Sequence, residues 1–596
     1  MNEEEKTPEL IFREYEEDTV SQYPHQWADK IGQAIPLLEA QGREDEKQQA
    51  VWESALCWLH VRHTPEERRR LGGRFGPMMT QADGSQLPDP VLFTDDALDY
   101  YARRADMTSN PIHRARYCDF LWEKRHDHNF ALKAIDAYLK CLPIYLTNSW
   151  YLGVADSLSR SIELALMLND ERKIEKTRES LMLTMDELVV VGNHPALRYC
   201  LDLIDALLST KERAKVPDLQ KAVGVCKKGV VFYASEEGGF TYPLARDFEE
   251  RQAALWQRLD NEKERGNAQI RIGELFEKEA ELKGGSSNML GAIFLQQAAQ
   301  HYANIGRRDK VEELKIKVKQ RWNAAVDGGE FKRIETRVRF PIEQIAQYAQ
   351  NIVNQGMDKA LLTISLDLNL VPDVKECRKR VGEQKLEFPL FGLVPRIRVQ
   401  DGRQIVSASD QEEIDEENAL SQYSADLGFR RLYLGKVFEI MREQLDLNAA
   451  SFLDYLSTSP FFDKDKLDVI RIGVERYFDG DYVSAIHILV PHLEDTLRHI
   501  LGRLGVSTTS LKPRGVTHEK MPDKVLDTPE LRALLGKRVW FYFKYVLIHP
   551  LGQNLRHDVA HGLINRERCT KELTETVLHL FLRLSPYQVK NQTANT

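Results

Sequence analysis

The stretch "GAIFLQQAAQHYANIGRRDKVEELKIKVKQ", Gly291 to Gln320, decides the fold class of the first half of the chain. Apolar residues recur at helical spacing on both sides of Gly306, which ends one amphipathic helix before the next begins. Working outward, "NFALKAIDAYLKCL" places Ala131, Ile135, Tyr138 and Leu142 at the same spacing. From about residue 15 to 340 the pattern is helix, short turn, helix, with small residues on the helix faces. That pattern predicts an all-α fold whose N-terminal region is a helical-repeat-like α-solenoid, although no strict repeat period emerges. One irregular stretch, "LGGRFGPMMTQADGSQLPDP" from Leu71, reads as a long surface loop.

Composition narrows the function classes. An apolar share of 42% and a charged share of 29%, without low-complexity tracts, are those of a soluble globular protein. The net charge of -9 argues against whole-chain electrostatic binding to nucleic acid or membrane, so any nucleic-acid site must be a local basic patch. Seven scattered cysteines (Cys57, Cys118, Cys141, Cys200, Cys226, Cys377 and Cys569) never form a C-x-x-C pair. This predicts neither a disulfide framework nor a zinc ribbon, and it fits a reducing cytosol. The acidic start "MNEEEKTPEL" lacks the apolar run of a signal peptide, and no segment is long and apolar enough to span a bilayer. The expectation is a cytoplasmic protein without a membrane partner.

The chemistry changes at residues 346–418, which read as a connector. Ile397, Val399 and Ile405 alternate around Asp401-Gly402, a hairpin signal, and the acidic run "DQEEIDEE" then reads as a solvated linker. The predicted organisation is therefore a helical scaffold or sensor region over 1–345, the connector, and a compact helical bundle over 419–596. Within that bundle Ile486, Leu489, Leu493, Leu497 and Ile500 form one apolar stripe. From Arg498 to Arg556 there are eleven Lys or Arg against four acids, a local balance of +7. Arg503, Lys512, Arg514, Lys537, Arg538 and Lys544 are the candidates for contact with an anionic substrate.

The densest chemistry is "QNLRHDVAHGL", Gln553 to Leu563. His557 and His561 stand at i and i+4 and could share a cation on one helix face. "HDVAH" imitates H-E-x-x-H, but no third ligand follows at zincin spacing. Arg556 would also put a cation beside the metal, which is electrostatically unfavourable. Without a metal, Arg556 could grip a phosphate through its planar fork, and His561 could move a proton from a ribose 2′-OH to the leaving oxygen. On a regular helix residues i and i+5 lie about 140° apart, so this needs a distorted helix start near Gly552 or a dimer sharing one cleft. The bland alternative is a buried Arg–His–Asp network that ties helices together, and Gly562 permits close helix approach under any of these readings.

"RHDVAH" resembles the R-x4-6-H signature of HEPN domains, closest to the branch of uncharacterised proteins carrying R-N-x-x-x-H-G. Arg556, His561 and Gly562 stand at its fixed positions, and His557 replaces the Asn. The upstream helix "AIHILVPHLEDTLRHIL" resembles the branch's acid- and arginine-bearing helix, with Glu494 and Arg498 in that role. The same two residues are also an ordinary i,i+4 ion pair. The resemblance covers roughly 440–585 and, more weakly, 112–139. It implies a metal-independent endoribonuclease with no cofactor, in which Arg556 and His561 are catalytic. His557, Asp558, Asn554, Glu494 and Arg498 would support them. It further implies an RNA substrate and a homodimer built through the C-terminal domain. The role expected is that of a toxin or effector in bacterial anti-phage or abortive-infection defence, with a protein or phage-derived trigger at the N-terminal scaffold. The rival reading from another class is a non-catalytic dimerisation scaffold.

Three further features have bland readings. "EKRHDHN" at 123–129 reads as a solvated turn. His492, Asp495 and His499 share a helix face but show no fourth metal ligand, and Cys569 reads as a packed thiol.

Overall fold

Helix ends follow the local chemistry of the sequence. Asn304 closes a helix at Asn288–Asn304, Gly306 takes the left-handed conformation (φ 79°), and Arg308–Asp327 follows. Asn169 ends Tyr151–Leu168 in the same way at φ 52°, and Asp170 then caps Glu171–Val191 by accepting the Lys173 N–H at 3.0 Å. The computed structural model describes residues 7–331, 342–388, 396–400, 403–408 and 410–588, apart from 22, 63–64, 82, 463, 512 and 514–515. The fold is all-α. The described strands form only four two-stranded antiparallel pairs, and among the described residues no helix is long and apolar enough to cross a membrane. All seven cysteines are buried and unpaired.

The chain divides into two compact units, Met1–Arg321 and Trp322–Thr596. In the first, consecutive helices such as Pro111–Arg125, His128–Thr147 and Tyr151–Leu168 pack on their sequence neighbours. The stretch read as a long surface loop is more than a loop. Phe75–Gly76 pairs with His60–Val61, and Met79–Thr80 pairs with Gln86–Leu87. The stretch also delivers Arg74 into the interior, 2% exposed, where it meets Asp119 and Asp156. Arg160, equally buried, grips Asp119 from the other side with bonds of 2.6 and 3.0 Å. A second buried carboxylate, Glu53, accepts from the hydroxyls of Tyr15, Tyr100 and Tyr117 and from Arg104.

In the second unit the segment read as connector carries structural helices. Ile342–Val353, Met357–Leu366 and Val374–Glu387 share one core with Gln411–Gln444, Tyr482–Arg503, Pro529–Leu547 and Lys571–Leu584. The hairpin is present as Arg396–Gln400 paired with Arg403–Ala408, and its Asp401-Gly402 turn lies outside the described residues. The acidic run is not a solvated linker. Asp410 caps the long helix Gln411–Gln444, and the run forms its opening turns. There acidic charge at a helix N-terminus is favourable, and Asp415 and Glu416 bond to Lys385 and Arg378 of the preceding helix.

Candidate active site

Two elements build the site. The first is helix Tyr482–Arg503, which contains Pro491. A proline there donates no N–H to the carbonyl four residues earlier, so the helix lacks one backbone hydrogen bond where the site forms. The second is the short helix Leu555–Ala560 that carries the motif. Its start is set by backbone chemistry. A Cβ on Gly552 would fall 2.2 Å from the Tyr545 carbonyl oxygen, Gln553 N–H donates to that same carbonyl at 2.9 Å, and Asn554 is left-handed (φ 48°). The Asn554 side chain caps nothing. The helix ends at Ala560, His561 is its cap, and Gly562 turns the chain at φ 64°. Gly562 therefore serves the turn rather than close helix approach, since a Cβ there would meet nothing within 4 Å.

Residues of the motif point to different surroundings. Arg556 Nε donates to Glu494 Oε2 at 2.7 Å, and Arg498 Nη2 donates to Glu494 Oε1 at 2.6 Å, so one carboxylate is held between two guanidinium groups. Arg498 is anchored further by Glu519 at 2.9 Å and the Lys520 carbonyl at 2.6 Å. These three side chains line a cavity of about 260 Å³ with Val490, Pro491 and Asp495. Neither Nη group of Arg556 has a partner among the described residues. The Glu494–Arg498 pair is thus the ordinary i,i+4 pair and also the bracket that orients Arg556.

His557 and His561 are exposed, with their rings tilted at 51° and 4.5 Å between centroids, outside the residues lining that cavity. Asp558 is buried and ion-paired with Arg568, whose other nitrogen donates to the Gln553 carbonyl at 2.9 Å. Adjacent residues on a helix face apart, so His557 is exposed while Asp558 is engaged in the interior. Among the described residues no group of three or more His, Cys, Asp and Glu is placed to hold a metal ion. Asp495 of the His492–Asp495–His499 face pairs with Lys466. His126 of "EKRHDHN" is a left-handed helix cap, and Asp127 caps the next helix. Cys569 is buried, burial raises its thiol pKa, and it donates to the Asn565 carbonyl.

The basic candidates do not act as one free patch. Arg538 donates twice to the Val371 carbonyl at 2.6 and 2.9 Å, Arg503 donates to the Pro460 carbonyl at 3.1 Å, and Lys544 pairs with Asp527 at 3.1 Å. Lys537 is exposed, while Lys512 and Arg514 lie outside the described residues. Sequence reasoning missed Arg568 and Pro491. Arg568 sits ten residues from its partner with nothing to mark it, whereas the proline in the middle of a strong apolar stripe was a readable sign of a missing helix hydrogen bond.

A family model described as a domain of unknown function (DUF7380) matches residues 17–177. The match lies within the first unit. No curated protein matches the chain.

Removing the bracketing carboxylate tests this geometry. Glu494→Ala is expected to cost about 1–2 kcal/mol in the second unit, the charge-assisted bonds being discounted for partial exposure. The cost is read by hydrogen exchange of the helix Tyr482–Arg503. An unchanged exchange pattern would mean that the bracket holds nothing in place.

Proposed function

We propose that the chain is a metal-independent endoribonuclease whose catalytic residues are Arg556 and His561. The observation that carries this reading is Arg556, which lines a cavity with its guanidinium oriented through Nε by Glu494 and with no partner on either Nη among the described residues. A planar fork held in this way suits two oxygens of a scissile phosphate. His561 would take the proton of the ribose 2′-OH. The 2′-oxygen then bonds to phosphorus, and the 5′-oxygen leaves with a proton, giving a 2′,3′-cyclic phosphate and a 5′-OH end. His561 stands at the exposed end of the motif helix rather than in the Arg556 cavity, so one copy does not aim both groups at one phosphate. A homodimer through the second unit, with the two motifs facing, supplies the missing half. Such an activity suits a cytoplasmic toxin or defence effector whose trigger is sensed by the first unit.

The closed Arg556–Glu494–Arg498 network favours one second reading, a non-catalytic scaffold in which the motif only stiffens the bundle. Cleavage of a mixed-sequence labelled RNA by the purified chain, with and without EDTA, separates the two. Catalysis predicts EDTA-resistant cleavage that falls about 10²–10⁴-fold in folded His561→Ala, and that is also lost in Arg556→Ala. EDTA-sensitive cleavage would transfer the chemistry to the His557–His561 pair. No cleavage, with reduced stability in Arg556→Ala, would leave the scaffold reading standing.

A further inference from the structure

The second unit contains a cavity of about 490 Å³ that the ribonuclease reading does not use. It is lined by helix Gln411–Gln444 and by the first turns of Lys571–Leu584 and Ile342–Val353. Charges of both signs stand on its wall: Arg431, Lys436 and Glu439 from the first helix, and Lys571, Glu572 and Glu575 from the second.

Some of these charges are already matched. Lys436 pairs with Glu439 at 2.5 Å. Lys571 Nζ lies 3.7 Å from Glu575 Oε1, which also accepts from the Tyr477 hydroxyl at 2.8 Å. Two groups of opposite sign keep unused atoms. Arg431 makes no hydrogen bond or ion pair among the described residues, and its Nε and Nη2 are sealed from solvent, so Nη1 is the nitrogen left within reach. Glu575 is 1% exposed, and its Oε2 accepts no hydrogen bond among the described residues. Burial disfavours the charge on both, lowering the pKa of Arg431 and raising that of Glu575.

Gly435 brings the two groups to one place. It stands one helical turn after Arg431 on the same face, and a Cβ there would fall 3.1 Å from Glu575 Oε2. The carboxylate therefore sits against the helix about 6 Å along its axis from the Arg431 backbone. A plain anion drawn to Arg431 would meet like charge at Glu572 and Glu575, and a plain cation would meet Arg431. A ligand that carries both charges close together answers both groups. Ile342, Ile345 and Leu432 offer an apolar wall for the rest of it.

We propose that this cavity binds an amino acid with an aliphatic side chain, its carboxylate on Arg431 and its ammonium on Glu575. The proposal is independent of the ribonuclease reading.

Calorimetric titration of the full chain with L-leucine, 4-methylpentanoate and 3-methylbutylamine tests it. The second compound is leucine without its ammonium, and the third is leucine without its carboxylate. Leucine is expected to bind at one site. Loss of either charged group is expected to weaken binding about tenfold or more, the value of a hydrogen bond to a charged partner. In Arg431→Met leucine should bind about tenfold more weakly, while 3-methylbutylamine loses no affinity because it brings nothing to the guanidinium. Exchanging an unpaired, largely sealed charge for an apolar side chain should not unfold the unit. If that variant unfolds nevertheless, the three compounds on the native chain decide alone. No binding of leucine at millimolar concentration would overturn the proposal. Either analogue binding as well as leucine, or leucine binding unchanged in Arg431→Met, would overturn it equally.

Discussion

Asp119→Ala is expected to cost the first unit about 3–5 kcal/mol, the penalty for removing one partner of a buried ion network. Asp119 is fully buried and is the shared acceptor for Arg74 at 3.1 Å, Arg160 at 2.6 Å and the Tyr138 hydroxyl at 2.8 Å. Burial by itself would raise its carboxyl pKa, but Arg160 and Arg74 outweigh that and hold the group below its ordinary range. Without the carboxylate, two guanidinium groups that are 2% exposed or less keep only their partly exposed partners Asp156, Glu123 and Glu163. Total stabilities are about 5–15 kcal/mol, so the variant should unfold at far lower denaturant. Hydrogen exchange of helix Pro111–Arg125 gives the unit-specific reading, since a two-unit chain need not unfold in one step. Replacing the trio together, as Arg74→Met, Asp119→Leu and Arg160→Met, should recover part of the loss, because the fully buried charges are then gone and the carboxylates that lose an arginine, Asp156, Glu123 and Glu163, are partly exposed. Exchange unchanged within about 0.5 kcal/mol in Asp119→Ala would show that the network contributes specificity but little stability.

The same network shows what the sequence could and could not disclose. Local signals were legible: Gly306 as a helix stop, the apolar stripe from Ile486 to Ile500, and Glu494 with Arg498 one helical turn apart all appear where the spacing put them. Arg74 was not legible, because a Gly-rich irregular stretch reads as surface, and only tertiary packing shows its single cation entering the core. "DQEEIDEE" misled for a related reason. A run of acids is a linker in isolation, but it is a favourable helix start once Lys385 and Arg378 stand beside it. In the candidate site, residue types and their positions were readable, whereas their directions were not. The motif helix is only six residues long and ends before His561, so Arg556 faces a cavity while the histidines face outward. The basic count from Arg498 to Arg556 likewise said nothing about which cations were already committed to carbonyls, as Arg538 is.

His579 should make the second unit acid-labile well above the range where carboxylates titrate. It is fully buried in helix Lys571–Leu584. Its Nε2 lies 3.0 Å from the Ile364 carbonyl, which can only accept, so Nε2 carries the proton and Nδ1 accepts from the Tyr542 hydroxyl at 3.2 Å. Burial first, and the nearby Arg583 second, push its pKa down to about 3. An unfolded histidine titrates near 6.5, so between the two values the unfolded chain binds a proton that the folded one refuses. Stability is therefore intact above about pH 6.5 and falls by about 1.4 kcal/mol per pH unit below it, until the folded-state value is reached. His579→Gln keeps a donor and an acceptor but cannot titrate. It should start less stable at pH 8, from imperfect packing, and lose much less on acidification between pH 6.5 and 4.5. Denaturant titrations of both proteins across that window measure the difference in slope. Parallel lines would mean that His579 is protonated in the folded unit, and that the Tyr542–His579–Ile364 chain is not the hydrogen-bonded neutral array described above.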